Sequence, residues 1–184
     1  MSAEVLERPL PKPSSEGYVS ARLLEALVEG RLALEFLERG LVRNAAGKAF
    51  QAWRALLAAL LRLELDRLKA VVKTEEERRW LESTAVPRVP TGRIKALSQM
   101  LEEVGHGGIA FVTAMALDLH DYQYHGPDPD MALSKYRNRE EAARDVVLLL
   151  KELARRVEAL RQRVQWGGEL ERALEELKTY IGGL

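Results

Sequence analysis

Cysteine is absent from this chain of 184 residues, and asparagine occurs only at Asn44 and Asn138. Without cysteine the chain has no disulfide, no thiolate nucleophile and no Cys-ligated metal site. Scarce asparagine beside 30% charged residues is typical of proteins from thermophiles. The composition therefore predicts a thermophilic source.

An excess of one charge and a long apolar run are also lacking. Lys+Arg and Asp+Glu number 28 each, so the formal charge is zero, which disfavours a protein that coats nucleic acid but leaves room for a local basic patch. The longest apolar run, residues 55–61, is too short to cross a bilayer. The first thirty residues lack the apolar core of a signal peptide. We expect a cytoplasmic protein with no membrane partner.

Three prolines near the beginning of the sequence and a glycine pair near its end divide the chain into three predicted regions. Pro9, Pro11 and Pro13 disfavour a helix and predict an extended proline-rich arm over residues 1–17, which is either disordered or lies along a partner subunit. A helical bundle domain is predicted for residues 18–166. Residues 167–184 follow the pair Gly167-Gly168 and predict a C-terminal amphipathic helix, packed either on the bundle or on a second subunit.

The stretch from Leu41 to Thr74 contains no proline and carries two neighbouring apolar stripes with helical spacing. One stripe is Ala46, Ala49, Trp53, Leu56, Leu60 and Leu63, and the other is Phe50, Leu57, Leu61, Leu68 and Val72. Such a wide apolar face needs more than one partner. The pattern predicts a continuous central helix of roughly 50 Å, at ~1.5 Å per residue, packed by several others.

The remaining periodicities predict further helices on both sides of this central one. A helix from about Ser20 to Arg39 ends at Gly40, and Gly30 in its apolar stripe predicts a close contact with a neighbour. After the central helix we predict a short helix that is capped by Thr74 and runs to about Ser83. Three more helices are predicted over 94–104, 109–124 and 138–165. The helix over 109–124 is apolar nearly all round and is expected to be buried. The fold class is all-α, an antiparallel up-and-down bundle of about five helices.

No catalytic or metal-binding motif is present. His120 and His125 are five residues apart, which differs from the i, i+4 spacing of a helical metal pair. Asp118, Asp121, Asp128 and Asp130 could add oxygen ligands, but a solvated helix end and a proline turn explain these residues as well. We expect no metal and no cofactor.

The densest polar cluster lies where the helix over 109–124 meets the helix over 138–165. Its candidate binding residues are His120, Tyr124, Lys135, Tyr136, Arg137 and Asn138. Basic and aromatic side chains together bind nucleotides or RNA: Arg137 and Lys135 would contact phosphate, and Tyr136 or Tyr124 would stack on a base. Helix capping, with Asn138 as the cap, and loop anchoring are the structural alternative.

Two segments of this chain resemble the archaeal PaREP family. They are RNAAGKAFQAWRALLAALL, residues 43–61, and HDYQYHGPDPDMALSKYRNREEAARDVVLLL, residues 120–150. The resemblance extends from about Ser20 to Arg163. That family is similar in fold to the HEPN (higher eukaryotes and prokaryotes nucleotide-binding) superfamily. The resemblance implies a four- or five-helix bundle, commonly a homodimer, among proteins that include RNases, toxins and partners of nucleotidyltransferases.

Active HEPN enzymes carry an arginine, often a polar residue, and then a histidine four to six residues further on. Arg137-Asn138 matches the beginning of that motif, but residues 142–144 are Ala, Ala and Arg, so the imidazole that would act as acid or base is missing. We therefore expect a non-catalytic HEPN-like protein that binds a nucleotide or RNA in a polar cleft at the start of the last core helix. The alternatives are an RNase with a displaced histidine, either His120 or His125, and an antitoxin-like partner of a nucleotidyltransferase.

Overall fold

The structure, a computed structural model, describes residues 3–183. Over this range the chain forms nine α-helices and no β-strand. The helices are α1 (Tyr18–Glu38), α2 (Val42–Leu63), α3 (Leu65–Val71), α4 (Glu75–Trp80), α5 (Val86–Arg88), α6 (Ile94–Glu103), α7 (Ile109–His125), α8 (Arg139–Ala159) and α9 (Gly168–Gly182). The all-α helical bundle predicted from the sequence is confirmed.

Helix α2 lies at the centre of the bundle. It packs against α1, α7 and α8 along its length and also contacts α5 and α6. The predicted stripe residues Trp53, Leu56, Phe50 and Leu57 are fully buried, because each side of the wide apolar face meets a different helix. Trp53 donates from Nε1 to Thr113 Oγ1 at 2.9 Å, so its one polar group is satisfied inside the core.

The prediction of an unbroken helix from Leu41 to Thr74 is wrong in two places, because the helix breaks at Glu64 and its continuation, α3, ends at Val71. The helix ends at Leu63, and Glu64 adopts φ −100° and ψ 10° before α3 begins. The Glu64 carboxylate is buried and accepts hydrogen bonds from Arg67, His106 and Arg163. The break between α2 and α3 therefore lies where a buried carboxylate binds side chains from distant segments, and the spacing of apolar residues gives no sign of it.

The segment after α3 follows the predicted cap but extends further than predicted. Thr74 and Glu77 form the reciprocal capping box at the start of α4. The chain then continues through a π-helical turn, Leu81–Ala85, into α5 instead of stopping near Ser83. Pro87 is the second residue of that short helix and has no N–H to continue the helical hydrogen bonding. The helix ends at its C-cap, Val89, which has φ 41° in the left-handed region.

Helix α7 departs from the expectation of burial all round. Thr113, Ala116 and Leu119 face the core, but the Phe111 side chain is 84% exposed and Met115 is half-buried. Its apolar circumference is therefore only partly covered in the monomer. Helix α8 ends at Ala159, earlier than the predicted Gln165, and residues 160–163 form turns.

Both ends of the chain return to the bundle. Helix α9 packs on α1 and α8 through Leu170, Ala173, Leu174 and Leu177, all of which are buried. The predicted close approach at Gly30 is confirmed, since a Cβ there would lie 3.1 Å from Leu150 and 3.6 Å from Leu177. Within the arm, a 3-10 helix, Ala3–Glu7, packs against α1 of its own chain, so this part of the arm is not extended as predicted. The division into domains stays a prediction.

Candidate functional site

The N-terminus of α8 is organised by its cap. The Asn138 side chain accepts a hydrogen bond from the Glu141 N–H at 2.9 Å, and Glu141 in return accepts from the Arg137 N–H at 2.8 Å. The N-cap hydrogen bond predicted from the Asn-x-x-Glu spacing is present, but the return bond to Glu141 comes from the N–H of Arg137 and not from that of Asn138, as a capping box requires. Asn138 therefore has a structural role, and its side-chain oxygen is already occupied.

Tyr136 is buried beneath this cap. Only 5% of it is exposed; its hydroxyl donates to Asp145 Oδ2 at 2.7 Å, and its ring stands edge-on to Tyr122 at 5.5 Å. Burial and the bond to Asp145 raise the pKa of Tyr136 well above its ordinary value. The expectation that Tyr136 stacks on a base is wrong, because a base cannot reach its ring in this conformation.

Lys135 and Arg137 lie on either side of Tyr136 and point outwards. Both side chains are exposed, and within residues 3–183 neither takes part in a hydrogen bond or a salt bridge. The loop that holds them is fixed by Asp128, whose carboxylate accepts from the N–H groups of Leu133 and Ser134. These backbone hydrogen bonds lower the pKa of Asp128. The loop thus presents two exposed cations, of which Lys135 also interacts electrostatically with the carboxylate of Asp118.

His120 and Tyr124 lie on the side of α7 that faces α2. The His120 ring is 4.2 Å from that of Phe50 and 5.1 Å from that of Tyr124. Burial lowers the pKa of His120, which favours a neutral imidazole. Tyr124 is 61% exposed, so one of the two predicted stacking tyrosines is accessible.

The six predicted site residues therefore form two groups. Tyr122 and Tyr124 are two residues apart on α7, or about 200° around the helix, and Tyr122 marks the side on which Tyr136 packs. His120 and His125, the two candidates for a displaced catalytic histidine, also lie apart from Arg137. In the part of the chain that the structure describes, neither histidine has a hydrogen bond or ring contact with Arg137. Across residues 3–183 no group of three or more His, Asp or Glu side chains could hold a metal ion.

A groove of about 630 Å³ lies beside the first three turns of α8. We call it the α8 groove, and its lining consists of an apolar wall with charged residues at the rim: Leu37, Glu38, Val42, Arg139, Glu140, Ala143, Arg144, Val147, Leu148 and Lys151. The sequence analysis missed this site. Its signal was the i, i+4, i+7, i+11 spacing of 140, 144, 147 and 151, which places these residues on one face of α8.

Two cations of the α8 groove are available to a ligand. The carboxylates have partners, since Glu38 accepts from the Tyr180 hydroxyl at 2.7 Å and Glu140 lies 3.8 Å from Arg139. Arg144 and Lys151 are exposed, and among residues 3–183 no salt bridge or hydrogen bond involves their side chains. They are seven residues apart, about 10 Å along the helix axis. A ligand with an apolar body and a negative end fits this arrangement.

Comparison with known proteins identifies the family. Residues 21–147 match the family model described as the Archaeal PaREP1/PaREP8 family. Searches of curated proteins and of solved structures gave no match. In residues 3–183 no helix has both the length and the apolar composition needed to span a bilayer. Since the match covers more than half of the chain, with the arm and α9 outside it, this protein belongs to the archaeal PaREP1/PaREP8 family.

Proposed function

We propose that this protein is a non-catalytic, HEPN-like helical protein that binds a nucleotide or RNA at the start of α8. The observation that carries the proposal is the α8 groove, in which two cations without partners among residues 3–183, Arg144 and Lys151, stand at the edge of an apolar wall. Arginine and lysine bind phosphate oxygens, and an apolar surface accepts the face of a base.

Each part of the ligand has a matching feature in the groove. The base and ribose would lie against Val42, Val147 and Leu148, of which Leu148 is 53% exposed. Phosphates would contact Arg144 and Lys151. An RNA strand longer than one nucleotide would continue around the start of α8 towards Arg137, whose exposed side chain has no hydrogen bond or salt bridge among residues 3–183.

Binding of single-stranded RNA tests this proposal. A labelled RNA oligonucleotide and ATP are titrated separately by fluorescence anisotropy or calorimetry at two salt concentrations. Wild-type binding should weaken with salt, and the double variant Arg144→Gln/Lys151→Gln should bind at least about tenfold more weakly, as expected for loss of charge-assisted hydrogen bonds. Arg137→Ala should weaken RNA binding more than ATP binding.

The matched control is Lys73→Gln/Arg79→Gln, which removes the same two charges at exposed positions near α4. Equal affinity for RNA in all variants, or no binding by the wild-type protein, would contradict the proposal. Incubation with a mixed RNA pool tests the RNase alternative. Cleavage by the wild-type protein that disappears in both His120→Ala and Arg137→Ala would show that the protein is an RNase and would contradict the proposed non-catalytic function.

A second candidate function is protein association, favoured by the apolar character of the same region. Leu41 and Leu148 are about half exposed beside the α8 groove, and such apolar surface marks interaction sites. A second copy of this chain or a nucleotidyltransferase partner would cover it. Light scattering after size-exclusion chromatography discriminates: Leu148→Glu should convert a dimer into a monomer, whereas a nucleotide-binding groove leaves the mass unchanged.

A further inference from the structure

The opposite end of the bundle holds a cluster that the sequence analysis did not identify. Glu64 follows the last residue of α2, whereas the start of α8 lies near the first residue of α2, about 33 Å away for a helix of 22 residues. Around Glu64 lies a cavity of about 410 Å³. We call it the arginine pocket, and its ionisable lining residues are Glu64, Arg67, His106, Arg155, Arg156 and Arg163.

Buried Glu64 positions the groups at the bottom of this pocket. Its side chain is 1% exposed, and its oxygens accept from His106 Nε2 at 2.9 Å, Arg163 at 2.6 Å and Arg67 at 3.0 Å. Removing a carboxylate from water is costly. The protein uses this one carboxylate to hold an imidazole and two guanidinium groups from three separate segments against one another.

The arginines of the pocket carry more positive charge than the carboxylates bound to them neutralise. Glu152 pairs with Arg155 and Arg156 at 2.7 Å, and Arg156 also donates to the Gly107 carbonyl. Four guanidinium groups therefore face two carboxylates, Glu64 and Glu152. A guanidinium has five N–H donors, and in the described chain most of these donors in the pocket have no protein acceptor.

The shape and charge of the pocket select the ligand class. An excess of about two positive charges matches a phosphate monoester, which carries about two negative charges at neutral pH, better than a carboxylate with one. The forked guanidinium groups suit phosphate oxygens. Leu60, Val104 and Leu160 supply an apolar wall for an organic group, and the volume lies in the range of small-molecule sites.

We propose that the arginine pocket binds the phosphate monoester of a small organic molecule, with Arg67, Arg155 and Arg163 as phosphate ligands and Glu64 as the positioning residue. This proposal does not rest on the function proposed for the α8 groove, although Lys151 of that groove lies one helical turn from Arg155 of the pocket. With the α8 groove, the protein would have one anion-binding site near each end of α2.

Calorimetric titration with inorganic phosphate, adenosine 5′-monophosphate and acetate tests the proposal. The wild-type protein should bind both phosphates and bind acetate far more weakly. Arg67→Gln/Arg155→Gln should weaken phosphate binding by about tenfold or more for each arginine removed. Both side chains are mostly exposed, so the fold should be retained, and the thermal midpoint checks this.

Two further variants make the result specific. Arg79→Gln/Arg172→Gln removes two exposed arginines elsewhere, and the groove variant Arg144→Gln alters the α8 groove about 16 Å along α8 from Arg155; both should keep wild-type affinity for inorganic phosphate. Equal losses of phosphate affinity in Arg67→Gln/Arg155→Gln and in Arg79→Gln/Arg172→Gln would overturn the proposal. So would loss confined to the groove variant, acetate binding equal to phosphate binding, or no phosphate binding by the wild-type protein.

Discussion

At the residue scale, two buried polar groups organise the core. Glu64 and the Trp53–Thr113 pair each join segments that are distant in sequence. Buried polar groups cost free energy when they lose their partners. Their contributions can therefore be measured by substitutions that keep the shape of the side chain.

We expect Glu64 to make stability depend on acid pH. Burial raises its pKa, but hydrogen bonds from Arg163, His106 and Arg67 outweigh burial and hold the pKa of Glu64 below its ordinary value of 4.5. The ionised carboxylate thus stabilises the fold above that value, and this contribution is lost as the pH falls through the lower folded pKa. Guanidinium denaturation at pH 7 and pH 3 measures the effect.

In that experiment Glu64→Gln should lower the free energy of unfolding at pH 7 by about 3 kcal/mol, because the guanidinium groups of Arg67 and Arg163 lose their counter-charge. The variant should also lose less stability than the wild type between pH 7 and pH 3. Glu82→Gln, at an exposed ion pair, serves as the control. The same pH slope in Glu64→Gln and in the wild type would contradict the assignment.

Replacing Thr113 by valine should leave the Trp53 indole N–H without an acceptor in the core. Thr113 is fully buried, and its hydroxyl both accepts from Trp53 and donates to the Ile109 carbonyl. The expected loss is about 1–3 kcal/mol in the free energy of unfolding, the cost of an unsatisfied buried donor. Thr179→Val at an exposed position should change little, and an unchanged denaturation midpoint for Thr113→Val would refute the argument.

At the scale of the elements, the packing of α1 depends on one missing side chain. Gly30 lets Leu150 of α8 and Leu177 of α9 approach the backbone of α1. Glycine in a helix interior costs about 1 kcal/mol relative to alanine, and the close packing of three helices compensates for this cost.

Gly30→Leu should therefore lower the free energy of unfolding by at least about 1–3 kcal/mol, the usual cost of overpacking. Chemical denaturation measures it. Gly182→Leu is the matched control, because no atom lies within 4 Å of the Cβ position of Gly182. If both substitutions had the same effect, helix propensity and not packing would explain Gly30.

At the scale of the whole molecule, α9 completes the bundle although it lies outside the family match. Its buried leucines, Leu170, Leu174 and Leu177, cover parts of α1 and α8. Each buried leucine contributes about 1.5–3 kcal/mol. The helix is therefore part of the core of this chain.

Deletion of residues 168–184 should lower the free energy of unfolding by roughly 5 kcal/mol or more and expose an apolar surface that binds a hydrophobic dye. Thermal melting and dye fluorescence measure the two effects. The matched control is Leu174→Ala, which leaves a smaller cavity and should give a smaller loss. A truncated chain with the wild-type melting temperature would show that α9 adds nothing to the fold.

Sequence alone was enough for the features that local periodicity and capping encode. The apolar stripes of α2, the capping box at Thr74, the cap at Asn138 and the apolar face of α9 all appear as predicted. These features depend on residues within a few positions of one another, so the spacing of side chains along a helix is sufficient to identify them.

Only the tertiary structure decided which side chains meet. It buried Tyr136, separated His120 and Tyr124 from the loop of Lys135 and Arg137, and brought Arg163 to Glu64 across 99 positions of sequence. The physical reason is that a helix turns about 100° per residue, so neighbours in sequence can face different partners. Contacts between distant segments depend on the packing of the whole bundle, which no local pattern specifies.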